Sequence, residues 1–282
     1  MKHYTIPFFV PHMGCQHQCV FCDQRRITGK EGDGIPGPPD IIHKIETYLS
    51  TMRSQPARVQ VGFFGGSFTG IPAEKQARCL EPVKSYINKG AIDGIRLSTR
   101  PDLVDPEKID FLKSRGVKCV ELGVQSMSDK VLAASKRGHT SGDTVMASRM
   151  VREMGGFDLV HQIMLGLPGS SSEDELRTAE VSADLGAGQV RIYPVVVMKG
   201  TELARMWERG EYTALSMGEA VERAARLMAF FEKRKVRVIR CGLHPTEGLL
   251  SGDDHLAGPF HPSFGHLARE LSRQKSGTLP CR

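Results

Sequence analysis

Short segments with the composition of β-strands alternate along this chain with segments that have the periodicity of helices. Several strand candidates end in glycine or proline turns, such as Gly65-Gly66, Arg100-Pro101 and the segment 166–169. Regular alternation favours parallel βα units, because a crossover helix returns the chain to the same edge of the sheet. The pattern predicts an α/β fold, a partial (β/α)6 TIM-like barrel with functional residues after the carboxyl ends of its strands.

The predicted elements define one long domain and a short extension. The strand candidates are residues 4–10, 59–64, 94–99, 117–124, 158–165, 189–197 and 236–240. The helix candidates are residues 40–52, 73–87, 106–115, 128–154 with a break near Gly138, 172–186, 201–208 and 216–233. We predict a core domain over residues 1–240 and a loop-rich C-terminal extension over residues 241–282, where glycine, proline and histidine are frequent.

The composition argues against several classes of protein. With 40% hydrophobic and 25% charged residues, the 282-residue chain has the composition of an ordinary globular protein. No apolar run approaches the roughly 20 residues that cross a bilayer, and we expect no signal peptide. Seven unevenly spaced cysteines do not indicate a disulfide framework. We therefore expect a cytoplasmic protein without a membrane partner. Its net charge of +6 permits binding of nucleic acid without requiring it.

Three cysteines, Cys15, Cys19 and Cys22, follow directly after the first strand candidate. Gaps of three and two residues let one loop present three thiolates to three irons of a [4Fe–4S] cubane. An electron-transfer cluster of this type takes four cysteines, so a local set of three leaves one iron open. An open coordination position is what a reactive metal site requires, as catalytic zinc sites illustrate.

Two other interpretations of this cysteine segment stay open. A structural zinc ion would need a fourth ligand, for which His12 or His17 is available. The thiols could instead be buried apolar side chains, which is how we interpret Cys79 and Cys119, because they fall within helix and strand patterns. The spacing of the three cysteines is unusual for zinc and favours the iron–sulfur cluster.

Six stretches of the chain resemble the radical S-adenosylmethionine (SAM) superfamily, and within it the radical SAM domain of the Elongator catalytic subunit and its bacterial and archaeal relatives. The stretches are PHMGCQHQCVFCDQ, FFGGSFTGIP, LSTRPD, VELGVQSMSDKVLAASKRGHT, HQIMLGLPG and RIYPVVVMKGTEL. They fall in order at the ends of successive strand candidates. The resemblance therefore covers most of the chain, from about residue 4 to about residue 238.

Two features depart from the Elongator pattern. The first gap between the cysteines is tighter than in the Elongator enzymes and is similar to that of the oxygen-independent coproporphyrinogen oxidases. The Elongator subunit also carries an acetyltransferase domain after its radical SAM domain, and we expect none in these 282 residues. The acetyl-dependent tRNA function is therefore not carried over with the resemblance.

The resemblance implies an oxygen-sensitive radical SAM enzyme with a [4Fe–4S] cluster and SAM as cofactors. Such an enzyme binds SAM at the open iron and accepts an electron from a flavodoxin- or ferredoxin-like donor. It cleaves SAM reductively to a 5′-deoxyadenosyl radical, which abstracts hydrogen from a substrate that the sequence does not identify. A tRNA is the leading candidate. The alternatives are radical chemistry on a tetrapyrrole or another small molecule, and a SAM- or cluster-carrying binding protein without turnover.

The resemblance also implies SAM-contacting residues at successive strand ends. Gly65, Gly66 and Ser67 are expected to meet the methionine amino group, and Arg137 to meet its carboxylate, for which a guanidinium fork is well shaped. The other expected contacts, to the ribose, the adenine or the cluster, are Phe21, Ser98, Gln125, Ser126, Gln162 and Met164. The ordinary alternatives are a plain turn for Gly-Gly, a solvated charge for an arginine and core packing for a methionine.

The substrate side is predicted from fewer signals. Tyr193 and Cys241 are the chemically sensible hydrogen donors. The tail between Cys241 and Cys281 holds four of the ten histidines, which are His244, His255, His261 and His266. Their spacing matches no compact metal motif. We therefore expect the tail either to close the open barrel or to form a surface extension with solvated histidines.

Overall fold

The computed structural model describes residues 3–10, 13–23, 35–52 and 58–275. Its strands are β1 (His3–Val10), β2 (Arg58–Gly65), β3 (Gly94–Thr99), β4 (Val117–Gln125), β5 (Asp158–Leu165), β6 (Gln189–Pro194), β7 (Val197–Met198), β8 (Arg237–Cys241) and β9 (His255–Ala257). Its α-helices are α1 (Pro38–Thr51), α2 (Ala73–Asn88), α3 (Pro106–Ser114), α4 (Asp129–Ala134), α5 (Ser141–Glu153), α6 (Ser172–Asp184), α7 (Glu202–Glu208), α8 (Met217–Lys233), α9 (Glu247–Ser251) and α10 (Phe264–Lys275).

Seven strands form one parallel sheet, in the order β1-β2-β3-β4-β5-β6-β8. Spatial order follows chain order, as expected when each crossover returns the chain to the neighbouring position. The fold is an α/β half-barrel, which confirms the predicted partial TIM-like barrel. The seventh strand, β8, is the strand predicted over residues 236–240. The short strand β7 leaves this sheet and pairs antiparallel with β9.

Several helices begin at side chains that cap their free backbone N–H groups. The Thr140 hydroxyl accepts from the Asp143 N–H ahead of α5, and Ser171 and Ser216 do the same ahead of α6 and α8. Asp105 caps α3, where Pro106 fills the first turn. These are the residue types that hydrogen-bond the first turn of a helix, so the helix starts follow from local sequence. The helix predicted over residues 128–154 is two helices, α4 and α5, separated around Gly138.

The two faces of the sheet have different roles. On the convex face, apolar side chains pack under the helices; in β1 these are Ile6, Phe8 and Val10. Intervening residues of the same strand, such as Thr5 and Phe9, face the concave side and line a cavity. Because successive side chains point to opposite faces of the sheet, one face packs in the hydrophobic core and the other lines the cavity.

The C-terminal tail contains more regular structure than the predicted loop-rich extension. It includes α9, β9 and α10, and Phe264 and Ala268 of α10 are buried in the same apolar cluster as Phe231 of α8. The tail therefore packs on the helix layer of the half-barrel. The domain boundary at residue 240, which falls inside β8, remains a prediction. In the described part of the chain, no helix combines the length and the apolar character needed to cross a membrane.

Candidate cofactor-binding site

A cavity of about 750 Å³ occupies the concave face of the sheet. All seven parallel strands contribute to its wall, and Cys15, Cys19 and Cys22 line it as well. Its volume lies in the range of pockets that hold cofactors and small ligands. The curled sheet thus brings the predicted cluster ligands and side chains from every strand of the sheet to one cavity.

The cysteine segment lies directly against the turn that follows β2. The Ser67 N–H donates to the Met13 carbonyl at 2.8 Å. Gly14 adopts a φ of +70°, and a Cβ atom there would collide with the Ser67 carbonyl. A Cβ on Gly66 would likewise collide with the carbonyls of Val10 and Met13. Both glycines are therefore needed because two backbone segments pack without space for side chains.

The three thiols have different surroundings. The Cys15 Sγ lies 3.3 Å from the Ser67 Oγ. The Cys19 Sγ accepts a hydrogen bond from Arg137 Nη1 at 3.1 Å. Burial raises the pKa of the Cys22 thiol, and the neighbouring Cys19 and Cys15 raise it further. Neighbouring thiolates in a buried site repel each other, so a cationic metal centre would favour their ionised form.

The donor set fits an iron–sulfur cluster better than a single ion. Within the described ranges, no three His, Cys, Asp or Glu side chains converge as the ligands of one metal ion. A cubane instead takes one thiolate on each of several irons, and three separate thiols facing one cavity suit that arrangement. His17, a fourth zinc ligand in the alternative interpretation, packs its imidazole against Gly138. His12 lies outside the described residues.

Most of the predicted SAM-contacting residues reach the cavity. The predicted contacts that line the cavity are Phe21, Gly65, Gly66, Ser67, Ser98, Gln125, Arg137, Gln162 and Met164. Gln125 has a φ of +64°, which is uncommon for a residue with a side chain. Its Oε1 is buried and has no hydrogen-bond partner in the described part of the chain. A strained residue that lines a cavity and has an unsatisfied polar atom is a candidate ligand contact.

Ser126 is the exception among these residues. Its Oγ accepts a hydrogen bond from the Ser128 N–H at 3.1 Å, just ahead of α4. The side chain thus stabilises the start of a helix, and it is not among the cavity-lining residues described above. Gln125 and Ser126 are adjacent in the sequence, so they point in different directions where β4 ends.

Of the two predicted hydrogen donors, Tyr193 lines the cavity and Cys241 does not. A shift in the β6–β8 register places Arg240 opposite Arg191, and Cys241 opposite Ile192. Cys241 consequently faces the helix layer, where it packs against an apolar cluster. Burial there raises the pKa of its thiol to about 12. The placement of Cys241 therefore does not support its predicted role as a hydrogen donor in the cavity, whereas Tyr193 is in position for that role. Strict alternation along β8 would have placed the Cys241 side chain on the concave face with Arg237.

A buried ion network under the cavity is absent from the sequence-based predictions. The carboxylate of Glu121 is fully buried and accepts from Arg96 at 2.7 Å, from Arg191 at 2.7 and 3.0 Å, and from Gln162 at 2.9 Å. Burial by itself raises the pKa of Glu121, but Arg191 and Arg96 outweigh it and hold the pKa below its usual value. The network fixes Gln162 and Arg191 in the cavity wall.

A sequence signal for this network exists. Glu121 lies four residues before Gln125 in β4, and Arg191 lies two residues before Tyr193 in β6. Even spacing from a predicted site residue places a side chain on the same face of a strand. Charged residues at such positions in otherwise apolar strands indicate that the concave face of the sheet is polar.

The C-terminal histidines do not gather into a site. His244 lines the cavity, whereas the His255 Nε2 lies 3.0 Å from the Gly258 carbonyl. His261 and His266 are exposed. Cys281 lies outside the described residues. Among the histidines of the tail, only His244 therefore reaches the cavity within the described ranges.

Comparisons with known proteins agree with this geometry. Residues 9–181 match the model of the radical SAM superfamily, and residues 187–273 match that of the radical SAM C-terminal domain. An uncharacterized protein of Methanocaldococcus jannaschii is 32% identical over 231 residues, covering 78% of this chain and 69% of that protein. The tRNA uridine(34) acetyltransferase of Methanocaldococcus infernus is 29% identical over 248 residues, covering 74% of this chain and 46% of that enzyme.

A solved structure of a related protein is also similar to this chain. The archaeal Elp3 of M. infernus with an N-terminal deletion has a TM-score of 0.77 at 25% identity, covering 99% of this chain and 64% of that chain. This chain thus spans less than half of the M. infernus acetyltransferase that it matches. The superfamily uses a [4Fe–4S] cluster and SAM, the cofactors that the cysteine segment and the strand-end residues predict. The chain belongs to the radical SAM superfamily.

Proposed function

We propose that this enzyme binds its [4Fe–4S] cluster through Cys15, Cys19 and Cys22 and uses SAM to abstract hydrogen from a tRNA nucleoside. One observation carries the proposal: the three thiols line the same cavity as the Gly65–Ser67 turn, Gln125 and Arg137. When bound, the cluster supplies one electron that cleaves SAM reductively to a 5′-deoxyadenosyl radical. A flavodoxin- or ferredoxin-like protein is the proposed electron donor.

The residues of the chain have separate parts in this proposal. Gly65 and Gly66 let the backbone approach the methionine end of SAM, because no Cβ intervenes. The unpartnered Oε1 of Gln125 is available to a ribose hydroxyl. Arg137 is already engaged, with Nη1 on Cys19 and Nη2 on the Gly123 carbonyl at 2.7 Å. Its buried Nε has no partner among the described residues, and this unsatisfied donor supports a contact of the guanidinium with the carboxylate of SAM.

The choice of tRNA rests on relatives. The M. infernus relative is a tRNA uridine(34) acetyltransferase, and the aligned region covers 46% of it. The cavity is also rich in arginine, as expected for a site that binds a polyanion. Tetrapyrrole chemistry and a binding protein without turnover are the outcomes that compete with this proposal.

Anaerobic reconstitution tests the cofactor assignment. Wild-type protein with dithionite and SAM should form 5′-deoxyadenosine, and Cys15→Ala, Cys19→Ala and Cys22→Ala should each lose iron and this activity. Cys241→Ala is the matched control, because its thiol packs in an apolar cluster away from the cavity. Retention of iron by all three cavity variants would contradict the assignment.

A second experiment tests the substrate. Total tRNA should bind the reconstituted protein with an affinity that falls steeply with added salt, because phosphate contacts release counterions. Mass spectrometry of the tRNA nucleosides after turnover should show a new product that depends on SAM. Cleavage of SAM without any change in the tRNA, together with a Soret shift on addition of a porphyrin, would instead support tetrapyrrole chemistry.

A further inference from the structure

The charges that line the cavity do not balance. Among the described residues, seven arginines reach it, and three carboxylates pair with four of them. Those four are Arg58 with Asp158, Arg96 and Arg191 with Glu121, and Arg100 with Asp102. Arg137 donates to Cys19, so its charge is directed at the proposed cluster. Arg237 and Arg240, both on β8, have no carboxylate partner among the described residues.

These two arginines have different environments. Arg237 is exposed at the beginning of β8, where water can solvate its charge. Arg240 is half-buried nearer the carboxyl end of the strand. Its Nε donates to the Gly242 carbonyl at 3.1 Å, which anchors the side chain, and neither terminal nitrogen has a hydrogen-bond acceptor among the described residues. A partly buried guanidinium without a counter-charge is costly unless a ligand supplies one.

The neighbours of Arg240 also suit an anion. Arg191 lies opposite it in β6, held by Glu121 and by its position over the Phe64 ring, 5.4 Å from the ring centroid. Tyr193 follows Arg191 on the same face and offers a hydroxyl. Burial raises the pKa of Tyr193, so its hydroxyl keeps its proton and can donate a hydrogen bond.

Arg240 lies on a strand that supplies none of the proposed SAM contacts. The sheet has β1 at one edge and β8 at the other, and the cysteine segment follows β1. The proposed SAM contacts come from the cysteine segment, from β2 to β5 and from the loop after α4. The side chains of β6 and β8, with those of β1, form the remaining wall, where a substrate has room to lie beside SAM.

We propose that Arg240, with Tyr193 and Arg191 beside it, binds an anionic group of the substrate, a phosphate or a carboxylate. A guanidinium pairs with either group through two parallel hydrogen bonds. The inference rests on the proposed function, since it names the chemical class of the substrate that the radical step would use. It does not depend on whether that substrate is a tRNA.

Calorimetric titration of the anaerobically reconstituted protein with SAM present tests this site. The probes are uridine 5′-monophosphate, glutarate and uncharged uridine. We expect Arg240→Gln to weaken binding of at least one anion by about tenfold to a hundredfold, the range for a hydrogen bond to a charged group. If Arg240→Gln weakens the binding of uridine 5′-monophosphate, the anionic group of the substrate is a phosphate. If it weakens the binding of glutarate, the group is a carboxylate. The affinity for uridine should be the same in the wild type and in Arg240→Gln.

Matched variants keep the test decisive. Arg237→Gln removes the other unpaired arginine of β8 and should bind the anions as the wild type does. Arg240→Lys keeps a charge and should retain part of the affinity, which guards against a folding defect in Arg240→Gln. The inference is overturned if Arg240→Gln binds both anions like the wild type, or if it loses affinity for SAM alone. Iron content and 5′-deoxyadenosine formation by the wild type test the proposed function separately.

Discussion

Arg137 joins Cys19 to the central strand of the sheet. Its Nη1 donates to the Cys19 Sγ at 3.1 Å, and its Nη2 donates to the Gly123 carbonyl at 2.7 Å. Gly123 makes this possible, because a Cβ there would lie 3.3 Å from Arg137 Nη2 and 3.0 Å from Gln125 Nε2. One guanidinium therefore sets the position of a proposed cluster ligand relative to β4.

We expect Arg137→Gln to lower the reduction potential of the cluster. Hydrogen bonds to the cluster sulfurs favour the more negative, reduced state. A loss of about 1.4 kcal/mol would correspond to about 60 mV for a one-electron couple. A redox titration followed by electron paramagnetic resonance measures the shift. Arg209→Gln, which alters an exposed pair with Glu211, is the control. An unchanged potential in Arg137→Gln would show that the hydrogen bond does not act on the cluster.

The register shift in β8 predicts opposite behaviour for Cys241 and Tyr193. Cys241→Ala should cost about 1 kcal/mol of unfolding free energy, because it removes a packed sulfur from an apolar cluster. The rate of SAM cleavage should stay within about twofold of the wild type, since the site is elsewhere. Tyr193→Ala should slow SAM cleavage, because it opens the wall opposite Met164. Urea denaturation and 5′-deoxyadenosine formation measure the two properties. Slow cleavage in a fully stable Cys241→Ala variant would place the thiol in the cavity.

Glu121 should be the most costly carboxylate to remove. Glu121→Gln leaves Arg96 and Arg191 buried without their counter-charge, a change that costs about 3–5 kcal/mol in buried pairs. Asp158→Asn breaks the half-exposed pair with Arg58 and should cost at most about 1 kcal/mol. Urea denaturation of the metal-free variants gives both values. Equal costs would mean that the Glu121 network contributes no more than a surface pair.

His161 should make the fold less stable in mild acid. The side chain is fully buried, and burial lowers its pKa to about 3 from an ordinary 6.5. Its Nε2 lies 2.9 Å from the Ser148 Oγ, which already donates to the Thr144 carbonyl. The Nε2 therefore carries the proton of a neutral imidazole and donates to Ser148.

The direction of this pH dependence follows from proton linkage. Between pH 6.5 and pH 3 the unfolded chain protonates His161 and the folded chain does not, so stability falls as the pH falls. The slope attributable to this residue is at most about 1.4 kcal/mol per pH unit. Urea denaturation from pH 7 to pH 5 should show a shallower slope for His161→Gln and an unaltered slope for His266→Gln, which changes an exposed residue. Parallel curves for all three proteins would contradict the assignment.

Local patterns were sufficient for the outline of the fold. Strand–helix alternation predicted all seven strands of the sheet, and caps such as Thr140 and Ser216 marked helix starts, because each signal lies within a few residues. The cysteine spacing likewise predicted a cluster with an open iron, and the resemblance of six short stretches to the radical SAM superfamily implied SAM. These features could be predicted because they depend on neighbours in the sequence.

Contacts between distant strands decided the rest. A register shift at β8 turned Cys241 away from Tyr193, and Glu121 became the centre of a network that joins Arg96, Gln162 and Arg191 from three other strands. Arg137 reached Cys19 across 118 positions of the chain. The sequence by itself determined the order of the elements and the chemistry of the cysteine segment. The tertiary structure alone decided which side chains meet in the cavity, because strand register and side-chain direction depend on partners far away in the chain.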